Sequence, residues 1–269
     1  MIPKKHLGQN FLTQPKIAMD IVHAGDIVAN DIILEIGPGK GILTEKLLNF
    51  SAKVVAIEKD KELVEFLNEK FAKEITSGQL ELLEKDVRDF DPGVMGFYDL
   101  SYKLIANIPY YITGEIIRKF LEAKCQPERM VLMVQKEVAE RIVARNKKFF
   151  DSAQGKESIL SISVKVYGKP KIVKKVSAGS FFPKPKVDSA ILVLEDISKI
   201  FFTTNKLGEK EFFNFVKKGF KSPRKMLRGN LCIEKNEWKQ ASEKIKILEN
   251  ARPENLSIKN WLDLFKYFN

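Results

Sequence analysis

The residues with the clearest chemistry in this 269-residue chain are Asn107-Ile108-Pro109-Tyr110. The side-chain oxygen of Asn107 and the main-chain carbonyl of Ile108 are two acceptors that one amino group can satisfy with its two N–H bonds. An aryl amine is a poor nucleophile because its lone pair is delocalised into the ring. Accepting both of its hydrogens lets the nitrogen pyramidalise and aim that lone pair at an electrophilic methyl carbon. Pro109 fixes its own backbone and restricts Ile108, which holds the carbonyl in place. Tyr110 offers a flat face on which a flipped base can stack. No metal and no general base is required, because the nitrogen's proton becomes acidic once transfer places positive charge on it. The tetrapeptide suits adenine in DNA or RNA; the plain alternative is a turn with a buried tyrosine.

The tetrapeptide follows the apolar run Leu104-Ile105-Ala106, one of several strand-like runs separated by helical patterns. Ile32-Ile33-Leu34-Glu35-Ile36 runs into Gly37-Pro38-Gly39-Lys40-Gly41, with helix beginning near Thr44. Glycines at such a turn bring a ligand against the backbone at a helix start. A dinucleotide fingerprint needs its third glycine at position 42, which is isoleucine, so a nicotinamide cofactor is not expected. The next strand, Val54-Val55-Ala56-Ile57, ends in Glu58, where a carboxylate can accept both hydroxyls of a ribose. Leu80-Glu81-Leu82-Leu83 precedes Asp86, and Met130 to Val134 and Val187 to Leu194 are further strands. Strand–helix alternation with apolar strands predicts an α/β fold with a mostly parallel sheet covered on both faces. Beyond Ile197 the strands stop. Glu209 to Phe220, Asn236 to Ile245 and Ser257 to Tyr267 carry helical periodicity, predicting a sheet domain over 1–196 and a small helical domain over 197–269.

Composition narrows the partner. Lys and Arg number 46 against 35 Asp and Glu, a net charge of +11. Ser158 to Val187 has no acid but carries Lys165, Lys169, Lys171, Lys174, Lys175, Lys184 and Lys186. Phe212 to Ile233, also acid-free, carries Lys217, Lys218, Lys221, Arg224, Lys225 and Arg228. Such stretches fit a polyanion whose phosphates they neutralise. No apolar run approaches the roughly 20 residues of a membrane span, and the basic start lacks the apolar stretch of a secretory signal. Cys125 and Cys232 are too few and too far apart for a disulfide framework or a zinc site, so a cytoplasmic protein without metal is expected.

The chain resembles the KsgA (RsmA) family of small-subunit ribosomal RNA adenine dimethyltransferases, together with its Erm and mitochondrial transcription-factor-B relatives. Besides Asn107 to Tyr110, the resemblance is carried by His6-Leu7-Gly8-Gln9-Asn10-Phe11-Leu12, Gln135-Lys136-Glu137-Val138-Ala139-Glu140-Arg141 and Ser180-Phe181-Phe182-Pro183-Lys184-Pro185-Lys186-Val187-Asp188-Ser189. Arg224-Lys225-Met226-Leu227 and Arg252-Pro253-Glu254-Asn255-Leu256-Ser257 extend it to the last domain. It implies a class I S-adenosylmethionine-dependent methyltransferase, Rossmann-like with a seven-stranded sheet. It also implies that Asn10 and Leu12 contact S-adenosylmethionine, that Asp86 accepts from its adenine amino group, and that Phe181 stacks on the target base opposite Tyr110. Gly37, Glu58 and Asn107 would complete the cofactor site. The implied substrate is a pair of adjacent adenosines near the 3′ end of small-subunit rRNA in a pre-ribosomal particle, bound by a monomer. Two positions depart from the family: Glu157-Ser158 replaces an aromatic–glycine pair, and Pro223 stands where an arginine is common. An Erm-type enzyme acting on large-subunit rRNA, a non-catalytic assembly factor and a small-molecule N-methyltransferase are the alternatives.

Overall fold

The computed structural model describes residues 3–4, 7–50, 53–143, 156–222 and 224–269. His6 and Pro223, both named above, lie outside them. The chain forms two compact units, Met1–Ala139 with Gly168–Ile197, and Glu140–Tyr167 with Ser198–Asn269.

In chain order the strands are β1 (Phe11–Leu12), β2 (Ile32–Ile36), β3 (Lys53–Glu58), β4 (Leu80–Glu84), β5 (Lys103–Asn107), β6 (Arg129–Gln135), β7 (Lys169–Val176), β8 (Phe181–Phe182) and β9 (Ser189–Glu195). Between them run α1 (Pro15–Ala24), α2 (Ile42–Leu48), α3 (Lys61–Lys70), α4 (Ala72–Thr76), α5 (Thr113–Glu122), α6 (Lys136–Val143) and α7 (Ile159–Tyr167). After β9 come α8 (Ile200–Asn205), α9 (Glu209–Gly219), α10 (Leu227–Leu231), α11 (Lys235–Ile245) and α12 (Ile258–Phe268).

Seven strands form one sheet in the order β4-β3-β2-β5-β6-β9-β7, and β1 pairs with β8 in a separate two-stranded ladder. The pairs among β2 to β6 are parallel, whereas β9 runs antiparallel to both its neighbours. The central strands are almost wholly apolar because both faces are covered: Ile33, Leu34, Val54, Leu104, Ile105, Val131 and Met133 are all buried. From β2 the chain first builds outward to β3 and β4, then returns to place β5 on the other side of β2. Connections leave in opposite directions there, which opens a crevice at the carboxyl ends of β2 and β5.

The second unit departs from the expected division at residue 196, because it takes in α7 as well as the last helices. Tyr167 at the end of α7 explains this. Its ring lies 5.4 Å from Phe202 and stacks 5.9 Å from Phe213, joining an aromatic core that also includes Phe212 and Phe265. Trp238 and Trp261 are fully buried in this unit. The Glu157-Ser158 departure acts locally. Ser158 and Ser161 exchange hydrogen bonds between hydroxyl and backbone N–H, a reciprocal cap at the start of α7, and buried Glu157 pairs with Lys165.

Candidate active site

The crevice is lined by residues from the N-terminal segment, the turn after β2, the tips of β3 and β4, and the segment after β5. It brings together nine of the ten expected site residues: Asn10, Leu12, Gly37, Glu58, Asp86, Asn107, Ile108, Pro109 and Tyr110. The positions span 100 residues of sequence; the sheet topology gathers those on β2 to β5, and hydrogen bonds to Asp60 and Asn107 bring in the N-terminal segment. The tenth, Phe181, is placed elsewhere. Strand alternation turns it inward against Leu12, its β1 partner, where it is 4% exposed, while Phe182 is 57% exposed. Phe181 belongs to the core that backs Leu12, not to the cleft lining.

At the tip of β5, the side-chain Nδ2 of Asn107 donates to the main-chain carbonyl of Asn10, at 3.3 Å. That bond leaves Oδ1 as the open end of the amide. Pro109 sits at φ −55° and ψ 130°, extended as its ring requires, and Ile108 before it is buried. Tyr110 is half-buried, and its hydroxyl shares a 2.6 Å hydrogen bond with the hydroxyl of fully buried Ser189, which fixes the ring. Burial raises the Tyr110 pKa, so the phenol stays neutral near pH 7.

Glu58, at the tip of β3, accepts hydrogen bonds from the backbone N–H groups of Lys59 and Asp60, each at 2.9 Å, and of Gly39 at 3.3 Å. Burial raises its pKa, while the same N–H bonds pull it down. Asp86 follows β4, where Arg88 and Lys59 bond its carboxylate at 2.6 and 2.8 Å. The Arg88 guanidinium first, then Lys59, hold Asp86 well below the usual carboxylate range.

The cleft suits S-adenosylmethionine on three counts. Gly37 adopts φ +67°, and an added Cβ would meet only the Asn107 carbonyl oxygen, at 3.8 Å, so open space lies against the backbone there. Oriented carboxylates at Glu58 and Asp86 offer acceptors for hydroxyl and amino donors. Glu35, beneath the glycine turn, is 1% exposed and neither of its oxygens has a hydrogen-bond partner. Burial pushes it up to about 8. A cationic ligand would draw this carboxyl toward ionisation. Among the described residues no cluster of His, Cys, Asp or Glu could hold a metal.

Sequence reasoning missed four lining or supporting residues. Glu35 read as an ordinary strand residue, although an acid inside an apolar strand was the available signal. Gln9 and Asp60 hold the N-terminal segment, and no local pattern could pair positions 51 apart. Tyr111 is 66% exposed at the cleft. Its ring lies so close to Gly8, at φ +62°, that a Cβ there would come within 2.9 Å of it.

The basic stretches divide on inspection of their partners. In the first, Lys165 pairs with Glu157, Lys169 with Asp196, Lys171 with Glu195 and Lys174 with Asp20. It is acid-free in sequence only. By contrast, none of Lys217, Lys218, Lys221, Arg224, Lys225 and Arg228 pairs with an acid among the described residues. No described helix is long and apolar enough to cross a membrane.

The family model "Ribosomal RNA adenine dimethylase" matches residues 3–269. A ribosomal RNA small subunit methyltransferase A from Lactobacillus helveticus is 39% identical over 272 residues, covering 97% of this chain and 90% of its own. A dimethyladenosine transferase from Plasmodium falciparum superposes with a TM-score of 0.72 at 29% identity, over 94% of this chain and 95% of that one. The 23S rRNA methyltransferase ErmE gives the same TM-score at 24% identity, over 96% and 99% of the two chains, a likeness of fold.

Proposed function

The chain belongs to the ribosomal RNA adenine dimethylase family, and on that premise we propose that it dimethylates the N6 amines of two adjacent adenosines near the 3′ end of small-subunit rRNA, within a pre-ribosomal particle. The observation that carries the reading is the amide of Asn107, whose Nδ2 is taken by Asn10 so that Oδ1 is left to accept. S-adenosylmethionine, when bound, supplies a methyl group activated by its sulfonium. The chain's part is to position. In the first transfer Asn107 Oδ1 and the Ile108 carbonyl accept the two N–H bonds of the amine, and its nitrogen turns its lone pair out of the ring; in the second, one of the two accepts the single N–H that remains. The nitrogen would take the methyl carbon as the sulfur–methyl bond breaks with its electron pair left on sulfur, and would then shed a proton to solvent. Glu58 accepts the ribose hydroxyls of the cofactor and Asp86 its adenine amine, with Asn10, Leu12 and Gly37 enclosing it. For Asp86 that acceptance competes with Lys59 and Arg88, which hold its carboxylate. Tyr110, fixed through Ser189, provides the face on which the flipped adenine stacks.

The unpaired cations around α9 and α10 support a grip on RNA phosphates by the second unit. The high identity to a small-subunit enzyme favours this substrate over large-subunit rRNA. Expression in a strain lacking the small-subunit modification tests the assignment. Reverse-transcription stops at the two adenosines should return, and their continued absence would defeat it.

A further inference from the structure

Asp60 stands two residues beyond Glu58 and its side chain is 4% exposed, yet it makes none of the cofactor contacts proposed above. Its two carboxylate oxygens are used separately. Oδ1 accepts from Lys4 Nζ at 2.7 Å, and Oδ2 accepts from Gln9 Nε2 at 2.8 Å. Burial opposes ionisation of Asp60, but the bonds from Lys4 and Gln9 outweigh it and hold its pKa low. The other end of the Gln9 amide is also occupied, because Gln9 Oε1 accepts the backbone N–H of Lys4 at 2.7 Å. Gln9 is therefore pinned at both ends. The next residue, Asn10, is held in turn by its own Nδ2 donating to the Gly8 carbonyl at 3.1 Å. The Asn10 carbonyl is the group that accepts Asn107 Nδ2. On its other side, the Asp60 backbone N–H bonds Glu58 Oε1 at 2.9 Å.

Hydrogen bonds thus join Glu58 to Asp60 and Asp60 to Gln9, the Gln9–Asn10 peptide bond carries the path on, and a further hydrogen bond joins the Asn10 carbonyl to Asn107. Its last link matters because the two ends of a carboxamide have nearly the same shape and opposite polarity. An amine can be accepted only by the oxygen. With the Asn10 carbonyl seated, the NH2 end is bound and the oxygen is left open. Without it, a half-turn about the terminal torsion, which is broad and roughly two-fold, presents the NH2 end to the amine instead.

We infer that Gln9 and Asp60 are positioning residues that make the acceptor orientation of Asn107 conditional on seating of the N-terminal segment. The target amine is then accepted productively only when the segment that encloses the cofactor site is in place. This rests on the role given to Asn107 above and adds what sets its orientation. The competing account is that the segment only retains cofactor, in which case saturating cofactor would hide any defect in it.

The experiment uses the full chain as wild type, Gln9→Ala, Asp60→Asn and Asn107→Ala. Single-turnover methyl transfer to immature small subunits is measured at saturating S-adenosylmethionine, alongside the melting temperature. Gln9→Ala and Asp60→Asn should each lose about ten- to a hundred-fold in rate, the scale of a small misplacement of a reacting group, with the KM for the particle little changed. Amide hydrogen exchange gives a reciprocal readout that needs no RNA: Asn107→Ala should speed exchange across residues 7–12 and leave α3 unaffected. Full recovery of the rate in both variants at saturating cofactor would overturn the inference, as would unchanged exchange over 7–12 in Asn107→Ala. If the wild type leaves small subunits unmethylated, the functional reading fails, and the exchange measurement still decides the coupling. It also decides the coupling if Gln9→Ala does not fold.

Discussion

Replacing Glu35 by glutamine should make the first unit more stable at neutral pH, by an amount that depends on pH in a defined way. Glu35 is buried inside β2 with both oxygens unpartnered, and burial moves its pKa from 4.5 to about 8. Below pH 4.5 the folded and unfolded chains both hold the proton, so the group's contribution there is at its most favourable. Between 4.5 and 8 the unfolded chain releases a proton that the folded chain keeps. Stability then falls by about 1.4 kcal/mol per pH unit, and the loss levels off above the folded pKa. The whole window amounts to up to about 5 kcal/mol, of which about 3 kcal/mol has been lost by pH 7. Glutamine has nearly the same shape and does not titrate. It leaves a buried amide unpaired, a penalty of about 1–3 kcal/mol that does not vary with pH. The quantity to measure is therefore the slope of the difference, not its value at one pH. Both tryptophans, Trp238 and Trp261, lie in the second unit, so their fluorescence would follow the wrong region. Hydrogen exchange of β2 amides against urea, at pH 5, 6, 7 and 8, reports on the right one. The advantage of Glu35→Gln should grow by about 1 kcal/mol per unit over that range. Parallel curves for the two proteins would mean that Glu35 is already ionised in the folded chain, and the burial argument would be wrong.

Other perturbations separate the roles within the cleft. Asn107→Ala should abolish methyl transfer while leaving cofactor affinity, read by calorimetry, within a few-fold of wild type; near-normal turnover would remove Asn107 from the acceptor role. Tyr110→Phe should lower stability by about 1–2 kcal/mol, because Ser189 loses its partner in a fully buried position, yet keep transfer within a few-fold. Tyr110→Ala should weaken RNA use by a further 1–3 kcal/mol or so, the usual worth of one base stacked on an aromatic ring. Equal RNA defects in the two variants would show that the hydroxyl, not the ring face, matters. Changing Lys217, Lys218 and Lys221 together to glutamine should flatten the dependence of RNA affinity on salt by roughly 2 in the log–log slope. An unchanged slope would place the phosphate contacts elsewhere.

The parts of this protein legible in its sequence are those set over short range. Apolar runs such as Ile32 to Ile36 and Met130 to Val134 identify buried parallel strands because both of their faces must be covered. The glycine turn at 37–41, Glu58 at the end of the following strand, and Asn107 to Pro109 stand out because each proposed role needs particular residue types at adjacent positions. Strand β7 was not legible. Lys169 and Lys171 alternate with Pro170 and Ile172 along an edge strand, but the register shift after Ile172 breaks the alternation at Lys174 and Lys175, and in sequence the four lysines read as a basic surface.

What the tertiary structure decided are relations between distant positions. The resemblance assigns base stacking to Phe181, and only the pairing of β8 with β1 shows that Phe181 is buried while its neighbour Phe182 is exposed. The lysines of β7 lose their apparent excess charge because Asp20, Glu195 and Asp196 are folded against them. The tetrapeptide Asn107 to Tyr110 names an amine acceptor by composition alone, but an amide has two ends. Which end is bound and which is left open is set by a carbonyl 97 residues away. Residue type is a local property of the chain, whereas the orientation of a polar group depends on whatever the fold brings within 3 Å or so of it.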